Sequence, residues 1–486
     1  MDAYHLIVLA LLFLAIPTGI IVATLSHRAR DLAFFTLVAA AVVTDRLDVN
    51  FFSHYWYRGT TRGLEFSLVD LLAISVLVGS FLRPRQGESR CYWPAGFGLM
   101  LLFFFYACGS VLFSDPQVYG VFELSKMVRG LFVFLAAALY VRRRRELGIL
   151  VFALCCAVCF EGVLALKQRL IGGIDRVPGS LDHENSLSMY LCLVAPIFIA
   201  AATSSLPRFL RVFSTVAIGA AALCSVLTIS RAGVPIFALV MLGTTAFCVS
   251  WRVTPQKLVA TTLIVLCIAG LSFKAWDSLK ARYAEATFQD EYLDDQQEGR
   301  GYYLRLAKVI VEDRFFGVGL NNWSFWVSKK YGAKIGRPYD DYDDLHTSKP
   351  DDQTVQDLVW AAPAHNLAAL TIGELGVPGL MIFALLWGRW FQMGLRFLFK
   401  RTTEPMQRLG VGIFFGLCGI FLHSLTEWTF RQSHIFLTFN VLVGTLASLC
   451  YVRRHARKTS AAAEVFYELP EYESAEAVST KAHRCA

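Results

Sequence analysis

The residues able to do chemistry in this chain are few, and they sit at the ends of apolar runs. Arg176-Val-Pro-Gly-Ser-Leu-Asp-His183-Glu-Asn185 leads into one run, and Ser230-Arg231 occupies a tight turn between two others. Arg300 opens an amphipathic stretch, His365-Asn366 opens a further run, and His423, Glu427 and Arg431 surround the exit of the next. Polar groups so placed carry a desolvation cost, which makes them informative. Each also has a plain structural use. An arginine at a membrane mouth can snorkel to lipid phosphate, and a histidine at a helix end can be a hydrogen-bonded cap or a base. Asn366 can cap a helix, and Gly376, Pro378 and Gly379 can make only a kink. Glu374 follows His365 in the stretch PAHNLAALTIGELGVPG. On a straight helix it lies more than two turns deeper, out of reach of the imidazole. Glu374 is therefore read as structural, and His423 or Glu427 as the group that orients a base at His365.

The elements that must hold these residues are membrane helices. Of 486 residues, 55% are hydrophobic and 17% charged, and the mean hydropathy is +0.49. Soluble domains carry more charge. Apolar runs of about 20 residues, the length that crosses a bilayer as a helix, recur from end to end. They are continuous rather than alternating, which excludes a membrane β-barrel. The expected fold is an all-α polytopic membrane protein of about 12–13 transmembrane helices with one large, partly helical periplasmic loop. Spans are expected near 5–25, 32–44, 66–82, 95–114, 127–141, 146–166, 187–203, 209–229, 232–250, 258–273, 366–388, 409–426 and 434–451. The first is no signal peptide by its flanks: it is preceded by Asp2 rather than by basic residues, and Arg28 and Arg30 follow it.

Lys and Arg in the connections set the orientation. With the N-terminus outside, the inner connections hold Arg28 and Arg30, Arg83 to Arg90, Arg142 to Arg145, Arg208 and Arg211, Arg252 and Lys257, Arg396 to Arg408, and Arg453 to Lys458. That is about twice the basic content of the short outer connections, as the positive-inside rule requires. The formal net charge of +8 is thus mostly a topology signal, and no nucleic-acid partner is expected. The twelve cysteines fall in spans or on the inner side, so no disulfide framework is indicated. Cys155-Cys156-x-x-Cys159 has metal-like spacing but lies in an apolar helix, where packing is the expected role.

One connection departs from the pattern. Transmembrane helices 1–10 are expected over 1–273 and helices 11–13 over 364–452. Between them 274–363 forms a long polar outer segment, a length that usually carries function. Within it Tyr303, Leu306, Val309 and Ile310 fall at helical spacing, and Gly317-Val-Gly319 ends that helix. The run Asp340-Asp-Tyr-Asp-Asp344, with Asp351-Asp352, could bind a divalent cation but is read as a solvated acidic loop. The tail, 453–486, is Ala- and Glu-rich and expected to be disordered and cytoplasmic.

Four stretches over about residues 170–440 carry a resemblance. They are Arg176-x-x-Gly179-Ser-Leu-x-x-x-Asn185-x-x-x-x-Tyr190-Leu; Ser230-Arg231-Ala-Gly; Gly299-Arg300 with Phe316-Gly-Val-Gly-Leu-Asn-Asn-Trp323; and His365-Asn366-Leu ending in Gly373-Glu-Leu-Gly-Val-Pro-Gly379. In order and spacing the chain resembles the O-antigen ligase and polymerase superfamily of bacterial envelope glycosyltransferases. The first 165 residues share only their hydrophobic spans. The resemblance implies a multi-pass enzyme of the bacterial inner membrane with its active site facing the periplasm. Such an enzyme takes a glycan from an undecaprenyl-diphosphate donor and passes it en bloc to an acceptor hydroxyl, without a cofactor or an obligatory metal. The family's arginines match Arg231 and Arg300, and its histidine matches His365. Arg176, Asn185, Asn366, His423 and Glu427 are possible supporting residues.

The implied chemistry suits these residue types. Guanidinium groups bind phosphate oxygens bidentately and stay protonated, so two fixed arginines can stabilise the charge of a diphosphate leaving group. A histidine can take the proton of a sugar hydroxyl, an effect worth roughly 10²–10⁴ in rate. An exopolysaccharide or O-antigen polymerase and an O-antigen ligase acting on lipid A-core use the same groups, and both stay open. A carrier of a small anion is the other class considered. It is disfavoured because no inverted repeat is visible and the polar groups cluster on one side.

Overall fold

The computed structural model describes residues 3–181, 183–249, 280, 299–340, 359–400 and 402–467. It is an all-α polytopic membrane protein with one small hairpin. The helices are α1 (Ala3–Leu25), α2 (His27–Ala40), α3 (Leu68–Leu82), α4 (Phe97–Leu112), α5 (Val118–Tyr140), α6 (Arg144–Leu170), α7 (Glu184–Ala202), α8 (Arg208–Leu227), α9 (Gly233–Cys248), α10 (Arg300–Asp313), α11 (Leu367–Leu395), α12 (Pro405–Ser424) and α13 (Ser433–Tyr467). Among the described residues, 6 helices are long and apolar enough to cross a membrane, namely α6, α7, α8, α11, α12 and the first part of α13, while apolar stretches of α1, α3, α4 and α9 are shorter. α5 has the length but carries Glu123, Lys126 and Arg129 in its first half.

Most of the expected spans coincide with a helix. The span expected at 258–273, the acidic run from Asp341 and the tail beyond Tyr467 lie outside the described residues. Two boundaries differ. α2 gives way to a 3₁₀ turn, Ala41–Arg46, before the expected end of its span. α13 runs past 452 to Tyr467, because Ala461-Ala-Ala-Glu464 is a strong helix former.

α7 is the hub, packed against α8, α9 and α12. Its partner α12 presents small residues: a Cβ at Gly412, Gly416 or Gly419 would fall within 2.8, 2.2 or 2.9 Å of atoms of Ile197, Leu193 or Cys192. Small residues allow such close backbone approach. The pair runs antiparallel, so the start of α7 meets the end of α12.

The segment that follows α10 is locked to α11 by backbone pairing. Val318 N donates to Gly373 O at 2.9 Å, Gly319 N to Glu374 O at 2.8 Å, and Val377 N to Phe315 O at 3.1 Å. α11 is broken at Gly376, φ +69°, which faces Gly317, φ +80°. Trp323 covers Gly373, and Asn321 donates to Thr61 O and Tyr119 O, both at 2.8 Å. The glycine-rich motifs at 316–323 and 373–379 are thus the two halves of one clasp. The apolar face expected on α10 is present: Tyr303, Leu306 and Ile310 are buried with Val318, Trp323 and Leu370.

The sequence reading did not foresee the hairpin. β1 (Asp48–Ser53) pairs antiparallel with β2 (Gly63–Ser67). Arg129 of α5 ties it down, reaching Asp48 at 3.1 Å, Glu65 at 3.2 Å and Asp70 at 2.9 Å. The strands are short and their polar-apolar alternation is weak, so tertiary contacts rather than local pattern define them.

Candidate active site

The site forms where the start of α7, the α8–α9 turn, the start of α10, the start of α11 and the exit of α12 converge. Glu427 is its centre. Its backbone N–H donates to His423 O at 2.9 Å, which turns the chain back as α12 ends. One carboxylate oxygen meets His365 Nδ1 at 2.9 Å, and the other accepts from Asn185 Nδ2 at 2.9 Å. Asn185 Oδ1 in turn accepts from Ser230 Oγ at 3.1 Å, and Ser230 Oγ accepts from Gly233 N at 3.2 Å. A continuous polar chain therefore links the Ser-Arg turn to the histidine.

Glu427 separates two cavities. A small one is lined by Arg176, Arg231, Arg300 and His423, with Asn185, Ser230 and Thr426. Arg300 Nε is fixed by Thr426 O at 3.2 Å, and Arg176 pairs with Glu184. His423 is buried, and its Nε2 has no hydrogen-bond partner among the described residues. The second cavity, about 470 Å³, is lined by His365, His183, Glu427 and Trp428 together with residues of the hairpin. The His365 side chain is 41% exposed there, whereas Glu427 is 8% exposed.

Burial opposes the charge on Glu427. The hydrogen bond and charge of His365, with Arg300 and His183 close by, outweigh it and hold the acid constant below the ordinary carboxylate range. Nδ1 is the ring nitrogen that His365 turns to the Glu427 carboxylate. A neutral imidazole that donates from Nδ1 has Nε2 as its proton acceptor. The pair has the form of a base and its orienter.

Of the expected site residues, His365, Glu427 and Asn185 are joined by direct hydrogen bonds. Arg176, Arg231, Arg300 and His423 share the adjoining cavity. Asn366 is a cap: its Oδ1 accepts from Ala369 N at 2.9 Å and its Nδ2 donates to Leu425 O at 2.9 Å, tying the head of α11 to the exit of α12. Between the two orienters left open by the sequence, Glu427 touches His365; His423 faces the arginines. Glu374 lies apart, paired with Arg431 at 2.7 Å. The sequence reading missed Glu184, Trp428 and the hairpin wall. Glu184, between His183 and Asn185, and Trp428, beside Glu427, had a local signal; the hairpin had none.

These features define a class: a multi-pass helical membrane protein with a hydrogen-bonded His–Glu pair beside a cluster of arginines at the mouth of its spans. Residues 216–384 match the family model described as O-Antigen ligase, a stretch that contains Arg231, Arg300 and His365. The match supports the resemblance to the O-antigen ligase and polymerase superfamily, and with it a glycosyltransferase type of activity. No curated protein matches the chain.

Proposed function

We propose that the protein transfers a glycan en bloc from an undecaprenyl-diphosphate-linked donor to an acceptor hydroxyl at the periplasmic face of the bacterial inner membrane. It acts as an exopolysaccharide or O-antigen polymerase, or as an O-antigen ligase on lipid A-core. The observation that carries this reading is the position of Glu427, which holds His365 on one side and borders the Arg176–Arg231–Arg300 cavity on the other.

The acceptor hydroxyl lies at His365 Nε2, which takes its proton as the oxygen attacks the anomeric carbon of the donor glycan. The bond from that carbon to the diphosphate oxygen breaks, and its electron pair leaves with the diphosphate. Arg231 and Arg300, with Arg176 beside them, stabilise the charge gathering there. Glu427 stabilises the imidazolium formed at His365. The products are the elongated or ligated glycan and the lipid diphosphate. The proton returns from His365 to solvent. No cofactor takes part, and metal independence belongs to the same proposal. The topology that goes with it has the N-terminus and the segment 274–363 outside and the C-terminal tail inside.

The test is transfer by the purified protein from undecaprenyl-diphosphate-linked glycan, in wild type and in Arg231→Ala, Arg300→Ala and His365→Ala. Each variant should lose about 10²-fold or more in rate. Undiminished transfer in all three would sink the assignment, and solute flux without transfer would point to a carrier.

A further inference from the structure

The cavity of about 470 Å³ beside His365 has walls that the catalytic pair does not require. Its volume lies within the ~300–1,000 Å³ of small-molecule sites. Asn50, Tyr55, Arg62 and Glu65 come from the hairpin and its turn, and Trp428 and Gln432 come from the exit of α12. We propose that this cavity is the saccharide subsite of the acceptor and that the hairpin sets which acceptor is used. The inference rests on the transferase reading above and deepens it.

The first argument is position. His365 lines this cavity and not the arginine-lined one, while Glu427 lines both. A base must reach the hydroxyl it deprotonates, so the acceptor belongs on the side that His365 faces. The leaving diphosphate belongs with the arginines.

The second is chemistry. A saccharide presents hydroxyls that both donate and accept, and C–H faces that pack on aromatic rings. The wall offers amides, hydroxyls, two guanidiniums and two carboxylates beside the rings of Tyr55 and Trp428. Positive C–H edges favour the negative faces of such rings. Gln432 Oε1 is buried without a hydrogen-bond partner among the described residues. Buried polar atoms are almost always partnered, and a turn of the Gln432 amide toward the cavity would bring this oxygen to a sugar hydroxyl.

The third is rigidity. The three ion pairs of Arg129 fix the hairpin on α5 and α3, and Asn321 is bonded to its turn through Thr60 N at 2.9 Å and Thr61 O at 2.8 Å. A preformed wall loses less freedom on binding. These walls, 48–67 and 428–434, also lie outside the residues 216–384 that match the family model. The matched part carries Arg231, Arg300 and His365, whereas Glu427 and the other walls of the acceptor cavity lie outside it.

The test uses full-length protein in lipid nanodiscs. The donor is lipid-linked glycan extracted from the cells that supply the gene. The acceptors are the glycan released from that lipid, which has no diphosphate and cannot act as donor, and, separately, the core oligosaccharide freed of its fatty acids. Tyr55→Ala, Arg62→Ala and Gln432→Ala should raise the acceptor KM about tenfold while leaving the donor KM within about twofold. Tyr55→Phe, which keeps the ring, should restore the wild-type acceptor KM and so exclude misfolding as the cause. Whichever acceptor shows the shift is the one that occupies the cavity. Wild-type transfer with an unmoved acceptor KM in all three variants, or with a raised donor KM, would overturn the subsite alone. Absence of transfer by the wild type from any donor would overturn the transferase reading and the subsite with it.

Discussion

Arg431 Nη2 lies 2.7 Å from Glu374 Oε2, and its Nη1 lies 3.5 Å from Glu123 Oε1. All three groups are buried. The Glu374 of the motif at 373–379 is thus neither a base nor an orienter of His365. It is half of an ion pair that ties the broken helix α11 to the short turn Thr429–Arg431 just after Glu427. Glu123 is further held by Thr60 Oγ1 at 3.0 Å, which links the same charge cluster to the hairpin turn.

Removing one partner from such a cluster leaves an uncompensated buried charge, which costs about 3–5 kcal/mol. Arg431→Ala should therefore lower the thermal unfolding temperature markedly, whereas Arg431→Lys, which keeps a charge but not the fork, should fall between. Unfolding followed by intrinsic fluorescence in detergent measures both. An Arg431→Ala protein as stable as wild type would show that the cluster contributes nothing.

The Glu427 carboxylate gives a pH prediction. Its acid constant is held below the ordinary range by His365. A depressed folded-state value means that ionised Glu427 stabilises the fold fully above its unfolded value of about 4.3. That stabilisation disappears as pH falls through the lower folded value. Glu427→Gln should remove this part of the acid sensitivity. It should also lower the transfer rate at neutral pH about 10²-fold or more, since the amide can keep a hydrogen bond but not stabilise imidazolium. Unfolding temperatures from pH 3 to 7 and single-turnover transfer rates check the two halves. A rate equal to wild type would remove Glu427 from the mechanism.

The clasp predicts two glycine effects. A Cβ at Gly317 would lie 2.4 Å from Glu374 O, and one at Gly376 would lie 2.2 Å from Phe315 O, with both residues at positive φ. Gly317→Ala and Gly376→Ala each combine backbone strain of about 1–3 kcal/mol with a clash against backbone that cannot move cheaply. Both variants should fold poorly, read as loss of monodisperse protein in detergent. Ala at Gly388, which has nothing within 4 Å of its Cβ, should behave as wild type and serves as the comparison.

Much of the site was legible because its parts sit in strong local patterns. Ser230-Arg231 and His365-Asn366 stand at ends of long apolar runs, where a polar residue is conspicuous. Partnership was less legible. Glu427 is 62 residues from His365, and two orienters stayed open until α12 was seen to turn back beneath α11. The glycine motifs could be read as kinks, but not as two halves of one clasp, because their pairing is long-range. The hairpin was missed because its fold depends on Arg129, a residue in a helix more than sixty positions away. Nothing in Asp48-Val-Asn-Phe-Phe-Ser53 by itself states that three carboxylates will share one guanidinium.

That guanidinium gives the last prediction. Arg129 holds Asp48, Glu65 and Asp70 together at distances of 2.9 to 3.2 Å. Arg129→Met keeps the length of the side chain but leaves three carboxylates facing one another with no cation among them. Their repulsion should release the hairpin from α5 and α3. Limited proteolysis in detergent should then cut within 54–62, where the wild type is protected by Tyr57, buried against Tyr119 and bonded to Asn321 O. If the hairpin forms the acceptor wall, the same variant should raise the acceptor KM and spare the donor KM, because Arg176, Arg231 and Arg300 are untouched. A cut hairpin with an unchanged acceptor KM would separate its anchoring from acceptor recognition. Protection equal to wild type would show that α5 does not anchor it.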